Sequence, residues 1–221
     1  MMNNQGKSYD NIAVGFANMR DSFNNEQKYL DALINYIPEK SHILDIGCGS
    51  GFPIADYFIE KNFQVTGVDG SQELLNIAKK KCPKMRGLYG DVRTIEFNEN
   101  VDAIVEWWCL FHLPKSDHEL MITRFAKWLK PGGILEFTSG DSEYEGTDSN
   151  MLNQELHFYS LAPNVYEQYL KKYGFEILLK ESDQEHHLVW IAKKMANDSK
   201  ACLQFIPDAY VPRLVRGIQT I

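Results

Sequence analysis

The chain has no cysteine pair at CxxC spacing, no apolar run long enough to span a bilayer, and no stripe of lysine and arginine. Each absence narrows the reading. Cys48, Cys82, Cys109 and Cys202 stand apart, without metal-ligand spacing and without a secretory apolar segment ahead of them. They read as reduced thiols of a cytoplasmic protein with no metal site. Without a bilayer-length run, the chain is expected to be soluble, with no membrane partner. A net charge of -7 repels a phosphate backbone, and the basic cluster Lys79-Lys80-Lys81 reads as a solvated helix end, so nucleic acid is not an expected partner. There is no internal repeat and no low-complexity tract.

What is present is ordinary globular usage, 44% hydrophobic and 24% charged over 221 residues, enough for one sizeable core with decorations. Tyr9, Ile12, Ala13, Phe16 and Ala17 recur at helical spacing behind Ser8, a capping type. Tyr29, Leu30, Leu33, Ile34 and Ile37 form a second helical face closed by Pro38. Strands are expected at about 42–46, 64–68, 85–89, 101–106, 133–138, 175–180 and 187–192, with helices at roughly 52–61, 71–81, 117–129 and 163–173. Such alternation implies an α/β fold: a doubly wound, mostly parallel seven-stranded sheet. The last two strands are separated by only a hairpin's length, which requires one antiparallel edge strand.

The expected organisation is a domain over 1–194 with an N-terminal helical cover at 1–38. A polar and aromatic insertion at 139–161 is too long for a βα connection and reads as a lid. Residues 195–221 carry Leu203, Phe205, Ile206, Tyr210 and Val211, an apolar tail expected to pack on the domain or a partner.

Asp45-Ile46-Gly47-Cys48-Gly49-Ser50-Gly51 lies between a buried strand and a helix. Its glycines let the backbone turn sharply against a ligand. A dinucleotide turn needs a glycine where Phe52 stands, and Asp45 would repel a pyrophosphate while attracting an ammonium or sulfonium group. Asp69, ending the second strand, can accept both hydroxyls of a ribose. Asp91, ending the third, can accept from an adenine amino group while the next backbone N–H, that of Val92, donates to a ring nitrogen. The site thus suits a cation carrying a nucleoside.

From about Tyr9 to Lys194 the chain resembles the class I S-adenosylmethionine-dependent methyltransferases, on five ordered motifs: Leu44 to Gly51, Val65 to Ser71, Gly90-Asp91-Val92, Phe111-His112-Leu113-Pro114 and Leu129 to Gly133. Phe52-Pro53-Ile54-Ala55 and His157 to Leu161 narrow the likeness to a bacterial, small-molecule-type branch. The resemblance implies a Rossmann-like fold and S-adenosyl-L-methionine as methyl donor, with S-adenosyl-L-homocysteine as product. It implies that Asp45, Gly47, Cys48 and Gly49 line the methionine part, Asp69 the ribose, and Asp91 with Val92 the adenine, whose faces Gly70 and Leu74 flank. Tyr9 and Arg20 match its N-terminal cover, where a Tyr packs near the sulfonium and an Arg meets the methionine carboxylate. Arg20 reads equally well as a surface helix charge.

The loop Glu106 to His112 is unusually aromatic. One of Trp107 and Trp108 belongs to the core and the other walls the cofactor or acceptor pocket. They are not separable in sequence; the working assignment sets Trp107 with the cofactor and Trp108 with the acceptor. His112 reads either as an organiser of its loop or as a catalytic base. His157 is the second candidate base, and Tyr144 and Tyr159 are candidate acceptor contacts. Asp141 and Glu145 lie close by. His187 reads as solvent-exposed, with the pocket as the other option. The function expected is methyl transfer to an O, N or S atom of a small-molecule acceptor, by a monomer or homodimer. Competing readings are aminopropyl transfer and a non-enzymatic cofactor-binding module.

Overall fold

β1 (His42–Ile46) is apolar on both faces because both are covered. Ile43 joins one hydrophobic cluster and Leu44 with Ile46 the other, the alternation of a strand buried between two helical layers. The structure, a computed structural model, describes residues 5–183 and 187–196. Parallel neighbours of β1 are β2 (Gln64–Asp69) and β4 (Val101–Glu106), with β3 (Arg86–Tyr89) beyond β2. β5 (Leu129–Gly140) lies parallel to β4.

β9 (His187–Lys194) runs antiparallel to β5, and β8 (Phe175–Ser182) runs antiparallel to β9. The order is β3-β2-β1-β4-β5-β9-β8, a seven-stranded, mostly parallel sheet whose one reversed strand stands at the β5 side with β8 outside it.

The helices α4 (Ile54–Glu60) and α5 (Gln72–Lys81) cover one face and α6 (Lys115–Trp128) and α7 (Pro163–Lys172) the other. α5 shows how local sequence sets a helix. The Ser71 hydroxyl accepts from the Leu74 N–H at 3.1 Å at its start, and three lysines close its last turn, opposite in sign to the carbonyl end.

The N-terminal cover is three short helices, α1 (Gly6–Asp10), α2 (Ala13–Met19) and α3 (Gln27–Ile34). Ser8 is inside α1 rather than at a cap, because the apolar period read as one helix is split at Asn11 and Ile12. α1 is docked on the start of α5 through Asp10, whose carboxylate accepts from the Ser71 hydroxyl at 2.6 Å and the Glu73 N–H at 3.1 Å.

The 139–161 insertion is a hairpin, β6 (Tyr144–Met151) and β7 (Gln154–Ser160), not an irregular loop. Its turn places Leu152 and Asn153 in the left-handed region, φ 52° and 60°. The tip rests on α2, where a Cβ on Gly15 would lie 2.7 Å from Leu152 Cδ1. Among the described residues no helix is long and apolar enough to cross a membrane. His186 and nearly all of the apolar tail lie outside the described residues.

Candidate functional site

The C-terminal ends of β1, β2 and β4 bring three acids to one edge, each with almost no exposure to solvent or little. Asp45 stands one residue before the end of β1, and burial, with the charges of Asp69 and Glu106 adding, pushes its carboxyl up to about 7. Burial likewise raises Asp69 to about 6 and Glu106 to about 7, against the pull of backbone N–H groups. Three carboxylates in a low-dielectric floor favour a cationic occupant. Asp69 also builds the floor: one oxygen accepts from the Gly49 N–H at 2.8 Å and the other from the Ser71 N–H at 2.7 Å. Gly47, at φ 73°, lets the turn pass under the next loop, since a Cβ there would sit 2.6 Å from the Cys109 Cβ.

A cleft of about 1230 Å³, its mouth included, opens above this floor. The glycine turn with Asp45, Gly47, Cys48 and Gly49 lines one stretch of it; Asp69, Gly70 and Leu74 line the next, and Asp91 with Val92 a third. Asp91 is held by Arg93, whose Nε donates to one oxygen at 2.9 Å and whose Nη2 donates to the other at 2.6 Å, while Nη1 reaches Asp117 at 3.0 Å. Despite partial burial, these bonds hold the Asp91 carboxyl below its ordinary range.

The β4 loop forms the far wall. Glu106 accepts from the N–H groups of Cys109 and Leu110, both at 2.6 Å, and from that of Thr138 at 3.2 Å. Thr138 Oγ1 in turn accepts from the Trp108 N–H at 2.9 Å. So tethered, Trp108 is kept at φ 59°, a conformation unusual for a bulky residue. Both Trp107 and Trp108 line the cleft, and their indole N–H groups are buried without a partner among the described residues. Arg20 lies over the Trp108 ring at 5.0 Å and is ion-paired with the buried Glu26. Its Nη1 is a buried donor with no partner among the described residues, in the lining of a cleft that an anionic group of a ligand could enter.

The methyltransferase-domain family model matches residues 43–133, the span from β1 to the start of β5. An uncharacterised methyltransferase of Oceanobacillus iheyensis is 27% identical over 188 residues, 76% of this chain and 85% of that protein. The matched span is a methyltransferase domain, and the chain is an S-adenosylmethionine-dependent enzyme with the class I fold. The carboxy-S-adenosyl-L-methionine synthase of Shewanella woodyi is 28% identical over 164 residues, 68% of this chain and 63% of its own, so the methyltransferase spans less than two thirds of that relative. Among solved structures, the Burkholderia thailandensis 1,6-didemethyltoxoflavin-N1-methyltransferase superposes with a TM-score of 0.69 at 17% identity, covering 87% of this chain and 88% of the other. That likeness is one of fold.

S-adenosylmethionine is the cofactor, and the donor set of the methyltransferase suits it: an unpartnered guanidinium nitrogen for a carboxylate, buried acids for an ammonium and a sulfonium, and a close-approach glycine turn. Among the described residues no group of histidines, cysteines and acids is arranged to hold a metal ion.

The cover departs from expectation. Tyr9 and His112 do line the cleft, but the His157, Tyr144 and Tyr159 side chains do not. The reason is the period of a strand: on β7, Leu156 is buried and Phe158 faces the cleft, so His157 and Tyr159 face away and stack on each other at 6.4 Å. What His157 contributes is backbone. Its N–H donates to Gln5 Oε1 and its carbonyl accepts from Gln5 Nε2, both at 2.8 Å. Tyr144 is 53% exposed and lies across Gly146. Glu145 pairs with Lys115 at 3.6 Å, and Asp141 is exposed. His187 is half-buried: its Nδ1 lies 3.1 Å from the buried Asp183 carboxylate, and its ring is 5.9 Å from Trp108.

No site role is legible in the sequence for Gln5, Phe16 or Met151, and Phe158 stands there only as one aromatic residue of the insertion; these four complete the cover of the cleft. Alternation through Leu156, Phe158 and Ser160 was the available signal for Phe158. Nothing local marks Gln5.

Proposed function

We propose that the methyltransferase acts in the cytoplasm on a small dissolved acceptor, methylating an oxygen, nitrogen or sulfur atom. Enclosure carries this reading. Residues of α1, α2 and the hairpin line the cleft, and Trp108, Phe111, Met151 and Phe158 add apolar walls to it. Aromatic walls beside a nucleoside site suit a small molecule. The 1,6-didemethyltoxoflavin N1-methyltransferase, similar in fold, acts on an acceptor of that kind.

In this reading Asp69 uses its remaining lone pairs for the ribose hydroxyls, Asp91 and the Val92 N–H take the adenine edge, and Gly70 and Leu74 flank its faces. Arg20 Nη1 meets the methionine carboxylate and Asp45 the ammonium, with Gly47, Cys48, Gly49 and Trp107 around them. When bound, S-adenosylmethionine supplies an electrophilic methyl group on sulfur. The chain's own work is to hold the acceptor against that methyl and exclude water, for which Trp108, Phe111 and Phe158 supply apolar walls. An acceptor that arrives deprotonated needs no base.

The test is methyl release from S-adenosylmethionine with panels of small acids, amines, phenols and thiols, run beside a macromolecular cell fraction. Transfer to the macromolecular fraction alone would overturn the reading.

A further inference from the structure

His112 has both ring nitrogens engaged, and the partners determine which one carries the proton. Nδ1 lies 3.0 Å from the carbonyl oxygen of His157, and a carbonyl can only accept. The other polar group nearby is the Gln5 amide. Its oxygen accepts from the His157 N–H, so its nitrogen is correctly oriented. The two hydrogens on that nitrogen go to the carbonyls of His157 at 2.8 Å and His112 at 3.0 Å. None is left for Nδ1, which is a longer 3.4 Å away. Nδ1 is therefore the protonated nitrogen, and Nε2 carries a lone pair.

The consequence falls on Tyr9, whose hydroxyl is 2.9 Å from Nε2. Facing a lone pair, it must donate. Burial and the nearby Cys109 and Asp69 hold the phenol protonated well above its usual range, and burial keeps His112 neutral by lowering it to about 4. The Tyr9 ring packs edge-on against Phe16 at 4.9 Å, and Phe16 lies 3.7 Å from where a Cβ on Gly49 would be, so the pair sits over the glycine turn.

We propose that the His157 carbonyl, through the ring of His112, turns the Tyr9 hydroxyl proton away from the cleft, so that Tyr9 offers only lone pairs to the ligand and favours a sulfonium over a neutral thioether. His112 is then a positioning residue acting through Tyr9, and the strand that supplies the carbonyl is part of the lid. The proposal rests on the methyltransferase reading. It gives the site a way to hold the donor and release the product: once the methyl has left, the sulfur is uncharged and the oxygen's lone pairs have lost their partner.

The test needs no acceptor. Calorimetry on the full chain with S-adenosylmethionine and with S-adenosylhomocysteine yields an affinity ratio. Tyr9→Phe and His112→Leu should each lower the preference for the sulfonium by about two- to fivefold, the size of a contact between a polarised C–H and oxygen. The double variant should be no lower than either single one, and His112→Gln, which returns an acceptor oxygen near the Nε2 position, should restore most of the ratio. Nitrogen-15 spectra of the wild-type imidazole, which need no variant to fold, should show Nδ1 protonated. Equal weakening of both ligands by Tyr9→Phe, or an Nε2-protonated ring, would overturn the proposal. Wild-type protein that binds neither ligand would instead overturn the donor assignment itself.

Discussion

Asp69 accepts a hydrogen bond from the backbone N–H of Gly49 across 2.8 Å, so a carboxylate at the end of one strand holds the turn that follows its neighbour. That carboxylate and Asp45 are also the groups whose titration the ligand should feel.

Both acids have folded-state values raised by burial, Asp45 to about 7 and Asp69 to about 6, from an unfolded value near 3.9. The folded protein retains protons there that the unfolded chain has released. Their contribution to stability is present below about pH 4 and is lost as pH rises through 6 to 7. The ligand-free protein should therefore melt lower at pH 8 than at pH 5.5. A cationic ligand favours the ionised acids, so S-adenosylmethionine should bind up to about tenfold more weakly at pH 6 than at pH 8, releasing protons in the lower range. Calorimetry in buffers of different ionisation enthalpy measures both. Asp45→Asn should flatten the dependence; an affinity independent of pH in the parent protein would contradict this assignment.

Gly6 of α1 packs directly on the turn after β2, where an added Cβ would lie 2.2 Å from the Gly70 carbonyl oxygen. Backbone cannot yield as a side-chain tip does, so Gly6→Ala should lift α1 at a cost of about 1–3 kcal/mol. α1 buries no residue of its own, and the loss should appear in cofactor affinity rather than in the melting temperature. A variant that binds as tightly as the parent would show that α1 is not part of the site.

Glu106→Gln keeps the volume but turns an NH₂ group toward backbone donors that the carboxylate accepted. The expected loss at pH 7.5 is about 1–3 kcal/mol by denaturant unfolding, with a changed environment for Trp107 and Trp108 in fluorescence. Unaltered stability and fluorescence would mean that the loop is held by other contacts.

On the hairpin, the alternation of β7 separates two outcomes. Phe158→Ala removes the ring that meets Phe111 at 5.4 Å and His112 at 5.0 Å, and should raise the acceptor KM by about tenfold. His157→Ala keeps the backbone groups that Gln5 and His112 use, and together with Tyr159→Phe should leave both ligands' affinities within about twofold. The reverse order of effects would place the acceptor on the other face of the hairpin.

How far the sequence was legible follows from how local each signal is. The seven strands and the helices between them could be read because β1, β4 and β9 are short apolar runs and α5 carries its own cap and closing charges. Asp45, Asp69 and Asp91 were legible because each lies within two residues of the C-terminal end of a parallel strand, and those ends share one edge of the sheet. Leu152 was not: a left-handed leucine at a hairpin turn carries none of the Asn-Gly chemistry that announces such turns, and the polar β6 looks like loop. Gln5 was invisible for a different reason, since its partners are 107 and 152 residues away and only the closed fold creates them.

The reversed strand has a consequence for how this scaffold can vary. A parallel strand in the place of β9 would bring its last residue to the ligand edge; running the other way, β9 brings its first, and His187 stands level with Gly140 beside Trp108. The residues that follow, Leu188 to Ala192, are buried in the two clusters. One end of β9 is thereby anchored in the core while the other borders the chamber wall. Position 187 is a point at which the shape of that wall can diverge between related enzymes without any change to the interior that holds them folded.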